Sequence, residues 1–166
     1  MSPEVLDQAK PAAPVNEDTF TGYILPYTFN AYDHEGKVLG VNIGCDDTIA
    51  KWITPIFEDL CKLLSLPPNW DSYGAPQIEI QSIVTALKIL VHSPYVTRPS
   101  VGPTSHGGVH LEWHTEGIEL EIEIGSWGHG EIYYGDQSGD PFEWEGNLNS
   151  ESELIEGLID KLPRHM

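Results

Sequence analysis

Strict alternation of apolar and polar residues marks two neighbouring segments, Val109–His114 and Ile118–Ile124, which are separated by a short turn containing Glu116 and Gly117. A period of two places successive side chains on opposite faces of a β-strand. The two segments therefore predict an antiparallel hairpin that is apolar on one face and lined by His and Glu on the other.

The apolar residues of the two strands share a face in only one register, because a slip by one residue would turn one apolar set towards water. This register predicts three apolar pairs: Trp113 with Leu120, Leu111 with Ile122, and Val109 with Ile124. It also predicts three polar pairs: His114 with Glu119, Glu112 with Glu121, and His110 with Glu123. The central polar pair is like-charged and is expected to be destabilising by up to about 1 kcal/mol.

Apolar residues at helical spacing predict three helices. The first carries its stripe from Ile49 to Leu64, and Thr54-Pro55 is a candidate N-cap and first helical residue within it. The second runs from Ile80 to Val91. The last follows a capping box that begins at Ser150.

Further short strands complete the pattern. Thr28–Tyr32 and Val38–Ile43 flank a glycine-containing turn and predict an N-terminal hairpin, while Glu131–Tyr134 and Pro141–Glu145 extend the later strands. The stretch 94–108, with three prolines and a Gly-Gly end, is predicted to be a linker.

This order of elements predicts an α+β fold. An antiparallel meander of three to four strands would pack against two to three helices, with the small hairpin at the N-terminal side. Residues 1–17, rich in Pro, Ala and acids, are predicted to be a disordered tail, and residues 18–166 a single domain.

The charge is strongly one-sided. The net charge is −18, from 8 Lys and Arg against 26 Asp and Glu, and the stretch 99–160 contains fourteen acids and no Lys or Arg. Such a field repels nucleic acid and anionic membrane, and it attracts cations and basic proteins. We therefore expect a basic protein partner, without direct nucleic-acid or membrane binding.

The polar face of the predicted hairpin is the candidate binding site. Its contacts would be four glutamates, with two histidines that tune the charge: Glu112, Glu119, Glu121, Glu123, His110 and His114. Trp127 and His129, in a glycine-rich loop, can also be presented to a partner. Nearby carboxylates raise the pKa of a histidine, so this face is expected to respond to pH around 6–7.

A divalent-metal site is the alternative for the same face. His110, Glu112 and His114 alternate on one strand, and Glu121 and His129 are expected to lie close to them. Two imidazoles with one carboxylate can bind Zn or Fe. Helical metal motifs of the HExxH type are absent. A third interpretation also stays open, in which this is a solvated sheet face without a ligand.

Motifs of nucleophilic and phosphate-binding enzymes are missing: the chain has no GxSxG, no GxxxxGK[ST] and no CxxC. The two cysteines, Cys45 and Cys61, are expected to be buried free thiols. No apolar run reaches the ~20 residues of a membrane span, and the N-terminus has no signal-peptide pattern. We expect a cytoplasmic protein without an assigned catalytic residue.

The run LPPNWDSYGAP at 66–76, followed by a helix and by GGVHLEW at 107–113, resembles a pattern in small bacterial proteins of uncharacterised function. In that pattern a Trp-Asp-x-Tyr-Gly-Ala loop precedes a helix, a Gly-Gly-started strand ending in Leu-Glu-Trp, and an acidic second strand. The resemblance covers about residues 66–124. It implies a prokaryotic or phage origin and a compact α+β module, and it supplies no catalytic assignment.

Together these features favour a non-enzymatic acidic interaction protein. It would bind, and could block, a basic surface on a nucleic-acid-handling protein, as antitoxins, defence inhibitors and accessory subunits do, because carboxylates can occupy sites built for phosphates. The alternative is a metal-binding protein or metal-dependent enzyme that uses the His/Glu face. An acidity that only maintains solubility is the third hypothesis.

Overall fold

The computed structural model describes residues 26–125, 129–138, 142–149 and 152–164. Some predictions therefore lie wholly or partly outside the described residues. They concern the tail 1–17, the start of the domain at residue 18, the presentation of Trp127, the first residue of the strand Pro141–Glu145, and the start of the capping box at Ser150.

The fold is α+β, as the sequence predicts. In chain order the elements are β1 (Pro26–Tyr32), β2 (Val38–Gly44), α1 (Asp47–Leu64), α2 (Ile80–His92), β3 (Ser100–Pro103), β4 (Val109–Thr115), β5 (Ile118–Ile124), β6 (Gly130–Asp136), β7 (Phe142–Asn147) and α3 (Ser152–Ile159). Strands β1 and β2 form a separate hairpin. Strands β3 to β7 form one antiparallel sheet in which spatial order follows chain order.

The central hairpin β4–β5 has the predicted register. Its connection is the two-residue turn Glu116-Gly117, and both residues have positive φ, at 51° and 82°. Positive φ at both central positions is the type I′ geometry that suits the twist of two paired strands. Pairs from Val109–Ile124 to Thr115–Ile118 follow without interruption.

The sheet contains one strand that the sequence did not reveal. Strand β3 lies in the segment predicted to be a linker, and it pairs Ser100 with Glu112 and Val101 with Leu111. It is only four residues long and contains Gly102 and Pro103, so it shows no alternation of its own. Its pairing with β4 gives the sheet five strands instead of three to four.

Helix α1 begins earlier than Thr54. Asp46 is its N-cap, and the Asp46 carboxylate accepts hydrogen bonds from the backbone N–H of Thr48 (2.9 Å) and Ile49 (2.8 Å). Pro55 therefore lies inside the helix, where it lacks the N–H that would bond four residues back. The Thr54 hydroxyl donates to the Ala50 carbonyl (2.6 Å) in the same turn. Burial of the apolar face of the helix on both sides of Pro55 stabilises the helix by more than the missing hydrogen bond costs.

One hydrophobic cluster joins the helices, the small hairpin and one face of the sheet. Helix α2 packs against β4 and β5, and α1 packs against α2 and β3. Trp113 is 2% exposed, and its indole N–H donates to the Thr97 carbonyl (2.6 Å). The Ser82 hydroxyl donates to the Gly125 carbonyl (3.0 Å), which ties α2 to the end of β5.

Both cysteines are free thiols, as expected. Cys45 is buried and Cys61 half-buried, and burial raises the pKa of the Cys61 thiol to about 12, with a further contribution from Glu58. None of the described helices is long and apolar enough to span a bilayer.

Truncation of a side chain is expected to have a large effect on stability on the buried face of the hairpin and a small effect on its outer face. We expect Leu120→Ala, at a fully buried position, to lower the free energy of unfolding by about 2–5 kcal/mol, because it leaves a cavity in the core. Glu119→Ala, on the neighbouring outward position, should change it by less than about 0.5 kcal/mol. Urea denaturation followed by tryptophan fluorescence measures both, and similar losses in the two variants would contradict this assignment of faces.

Candidate acidic face

The outer face of the five-stranded sheet gathers seven glutamates. Residues opposite one another in antiparallel strands lie on the same face, so the strand pairing builds three cross-strand rows. The rows are Ser100–Glu112–Glu121–Tyr133–Glu145, then Gly102–His110–Glu123–Glu131–Asn147, and His114–Glu119–Gly135–Glu143. We call the seven glutamates, with His110, His114 and Tyr133, the acidic face.

The five strands contain no Lys or Arg. Cations of the described chain are held elsewhere, mainly on the helical side. Lys62 and Arg98 both pair with Asp59 of α1, and these contacts lower the pKa of the Asp59 carboxyl, the Lys62 hydrogen bond most of all. Lys161 lies 4.9 Å from the ring centre of Tyr134, on the buried side of β6. Within the described part of the chain, the acidic face therefore has only its two histidines as internal counter-charges.

His114 contacts two carboxylates. Its Nε2 is bonded to Glu112, and its Nδ1 lies 3.4 Å from Oε1 of Glu119. The hydrogen bond to Glu112 raises the pKa of His114 above its ordinary value, and the charges of Glu112, Glu119 and Glu121 add to the effect. His114 is therefore the residue to which the predicted pH sensitivity of this face is assigned.

His110 lies beside Glu121, the second carboxylate of the like-charged pair. Its Nε2 lies 3.6 Å from Oε2 of Glu121, diagonally across the strands, although its direct partner in the register is Glu123. Glu112 and Glu121 therefore each have a histidine beside them. The like-charged pair of Glu112 and Glu121 is destabilising by itself. Protonated imidazoles of His114 and His110 would reduce the repulsion between these two carboxylates.

The structure brings together two of the three predicted metal ligands, Glu112 and His114, with Glu121, which was expected to lie close to them. Ligand atoms of Glu112, His114 and Glu121 all lie within 4.8 Å of one another. His110 is absent from this group. His129 lies four residues along β6 from the position opposite Glu121, which places it about 13 Å away at the usual strand rise. Two carboxylates and one imidazole are ligands that Zn or Mn accepts.

A shallow groove of about 480 Å³ crosses the acidic face from β4 to β7. Its polar lining comes from all four strands: His110, Glu121, Glu123, Glu131, Tyr133, Glu145 and Asn147. Tyr133 lies half-buried on the strand between Glu121 and Glu145. Burial raises the pKa of its phenol above the ordinary value, and the carboxylates of Glu143 and Glu119 raise it further.

Four members of this surface were not among the predicted site residues: Glu131, Tyr133, Glu143 and Glu145. Alternation within the predicted strands 131–134 and 141–145 already separated them from Ile132 and Trp144. The missing information was the pairing of β5 with β6 and of β6 with β7, which alternation within single strands does not determine. His129, which was predicted, is exposed just before β6, and its carbonyl accepts from the Gly125 N–H (2.6 Å).

The loop 67–76, which carries the bacterial resemblance, is tightly hydrogen-bonded. Asp71 accepts from the backbone N–H of Tyr73 (2.8 Å) and Ala75 (3.0 Å), and these bonds, that of Ala75 first, lower the pKa of its carboxyl. Asn69 and Ser72 have positive φ, at 61° and 65°. The loop holds the Tyr73 side chain 94% exposed at its tip.

Comparison of the chain with protein-family models, curated proteins and solved structures finds no match. Functional reasoning therefore depends on the geometry of the acidic face.

The histidine contacts predict a titration. We expect the pKa of His114 to lie above the model-peptide value of about 6.5, and Glu112→Gln to return it towards that value. Because the folded-state pKa is raised, the stabilisation is fully present below pH ~6.5 and is lost as pH rises through the folded-state value. NMR of the imidazole protons measures this, with Glu79→Gln, at an exposed residue before α2, as the control. Identical His114 titration in the wild type and Glu112→Gln would disprove the contact.

Proposed function

We propose that this protein is a non-enzymatic interaction protein that binds a basic surface of another protein through its acidic face. One observation carries the proposal: seven glutamates share one open sheet face whose strands contain no Lys or Arg. Surfaces that serve solubility alone usually mix both signs. Here the cations lie away from the glutamates, which strengthens the field on one side of the molecule.

The chemistry of the face favours a partner that handles nucleic acid. A row of carboxylates on strands offers negative oxygens at regular intervals, and a site built from Lys and Arg for phosphates accepts such oxygens through charge-assisted hydrogen bonds. The same field repels nucleic acid itself. Inhibitors of defence enzymes, antitoxins and acidic accessory subunits of the bacterial cytoplasm are the functional types that fit this chemistry.

Neutralising the acidic face tests the proposal. We expect Glu119→Gln, Glu121→Gln and Glu123→Gln, combined in one variant, to lose a basic partner that the wild type captures from its host. The captured partner is then purified, and its affinity for both proteins is measured over a range of salt. The affinity of the wild type should fall steeply as ionic strength rises, because exposed charges are screened beyond about 10 Å at 0.1 M salt.

A matched variant distinguishes the loss of charge on the acidic face from a general decrease in the net negative charge of the protein. Glu79→Gln, Glu153→Gln and Glu156→Gln, at exposed positions before α2 and on α3, remove the same three charges from the helical side. This control should bind as the wild type does. Equal loss in both triple variants, or an affinity that does not change with salt, would refute binding through the acidic face.

Metal binding is the second candidate function, and the cluster of Glu112, His114 and Glu121 favours it. It predicts stoichiometric Zn or Mn in protein purified without chelator, lost in Glu112→Gln and in His114→Ala but retained in His110→Ala. Elemental analysis by mass spectrometry measures the content. Metal-free wild-type protein that also fails to take up added Zn would exclude this function.

A further inference from the structure

Strand β7 ends the five-stranded sheet, so one of its two edges faces away from β6. The ladder fixes which residues point to that edge. The Leu148 N–H donates to the Gly130 carbonyl (2.9 Å), one step beyond the pair Asn147–Glu131. Because hydrogen-bonded pairs alternate in an antiparallel ladder, Gly146 and Trp144 also bond to β6. Glu143 and Glu145 therefore direct their N–H and C=O groups outwards.

The same two residues place their side chains on the acidic face. Glu145 is paired with Tyr133 and Glu143 with Gly135, and both glutamates are exposed. Trp144, between them, is half-buried and packs against the core on the opposite face. The outward edge of β7 thus combines backbone donors and acceptors with a carboxylate at every second residue.

The groove of the acidic face reaches this edge. Glu145 lines it together with Tyr133, Glu121 and Glu131. A cationic side chain that enters from the β7 edge would meet these carboxylates and the tyrosine ring. Aromatic rings attract Lys and Arg through their π-face within about 6 Å, which adds to the ionic attraction.

We propose, building on the function proposed above, that the basic partner docks by adding an extended segment as a sixth, antiparallel strand along β7. The segment carries Lys or Arg at alternate positions opposite Glu143 and Glu145, and the cation opposite Glu145 enters the groove beside Tyr133. Main-chain hydrogen bonds to an open sheet edge provide affinity in this mode of recognition, and alternate side chains provide specificity. Opposite charges across strands stabilise the pairing.

A second copy of this chain does not fit the same edge. Two-fold antiparallel pairing centred on Trp144 would place Glu143 of one copy directly opposite Glu145 of the other. Like charges in that position are destabilising, and charged residues on edge strands commonly prevent self-association. The opposite end of the sheet, β3, offers four residues with a terminal proline and no acid. Charge complementarity therefore selects β7 and a basic occupant.

A synthetic peptide tests strand addition directly. The probe is an acetylated, amidated nine-residue peptide in which lysine and valine alternate. When it binds, amide hydrogen exchange at Glu143 and Glu145 should slow by at least about tenfold, since each N–H gains a partner. The amides of Trp144 and Gly146, which already bond to β6, serve as internal references and should not change.

Two methylated peptides isolate the backbone contribution. In the proposed antiparallel pair, the lysines of the peptide lie opposite Glu143 and Glu145, so their side chains lie on the acidic face. The backbone N–H groups of these lysines point to β7. N-methylation of the lysine backbone nitrogens should weaken binding by about tenfold or more, because it removes these donors. N-methylation of the valine nitrogens keeps the same composition and charge and should leave the affinity close to that of the parent peptide.

A substitution at the edge tests the charge contribution. Glu145→Gln keeps the backbone and the shape, and we expect it to weaken peptide binding about two- to fivefold, the effect of one cross-strand charge pair. Glu156→Gln, an exposed position on α3, removes the same charge and should have no effect.

The outcomes separate this inference from the proposed function. Equal binding of the two methylated peptides, with no protection of Glu143 and Glu145, would overturn strand addition. The acidic-face function would survive that result if the Glu119, Glu121 and Glu123 triple variant still lost the basic partner, and both would fall if it did not. Protection of Glu143 and Glu145 that grows with protein concentration in the absence of peptide would overturn the inference in favour of self-pairing.

Discussion

Burial of one face of the β4–β5 hairpin against helix α2 is the constraint on which the rest of the structure depends. Leu111, Trp113, Leu120 and Ile122 lie on that face, and almost none of their surface remains exposed. Because a strand alternates its side chains, burying these residues forces the intervening glutamates and histidines to the opposite side. The apolar core thus holds like charges close together on the outer face.

This arrangement has an electrostatic cost, and the molecule offsets only part of it. His110 and His114 stand beside Glu121 and Glu112, but an imidazole offsets a carboxylate only while it is protonated. Permanent cations such as Arg98 and Lys62 are bound to Asp59 on α1 instead. A basic ligand would relieve the remaining repulsion, so the proposed affinity of the acidic face for a basic partner would have the same physical origin as this repulsion.

The outer edge of β7, where no described strand pairs, adds backbone hydrogen-bonding groups to this charged surface. A flat acidic face attracts any cation, whereas an edge that presents backbone groups between Glu143 and Glu145 selects the spacing of an extended chain. In the proposed docking, the groove beside Tyr133 would distinguish a long cationic side chain from a short one. Attraction, register and side-chain length would each contribute a separate part of the specificity.

Local periodicity in the sequence was sufficient for the α+β class, the hairpin register, the three polar pairs and the three helical segments, because each depends on neighbours within a few residues. The start of α1 was predicted too late, because Asp46 caps the helix and its buried face continues across Pro55, which therefore lies inside the helix. Pairing between distant segments also needed the tertiary structure. It placed β3 beside β4, and it brought Tyr133, Glu143 and Glu145 onto the acidic face. It also left His110 out of the potential metal group, which consists of Glu112, His114 and Glu121. Alternation determines which side of a strand a residue occupies, but only the packed sheet determines which other strands share that side.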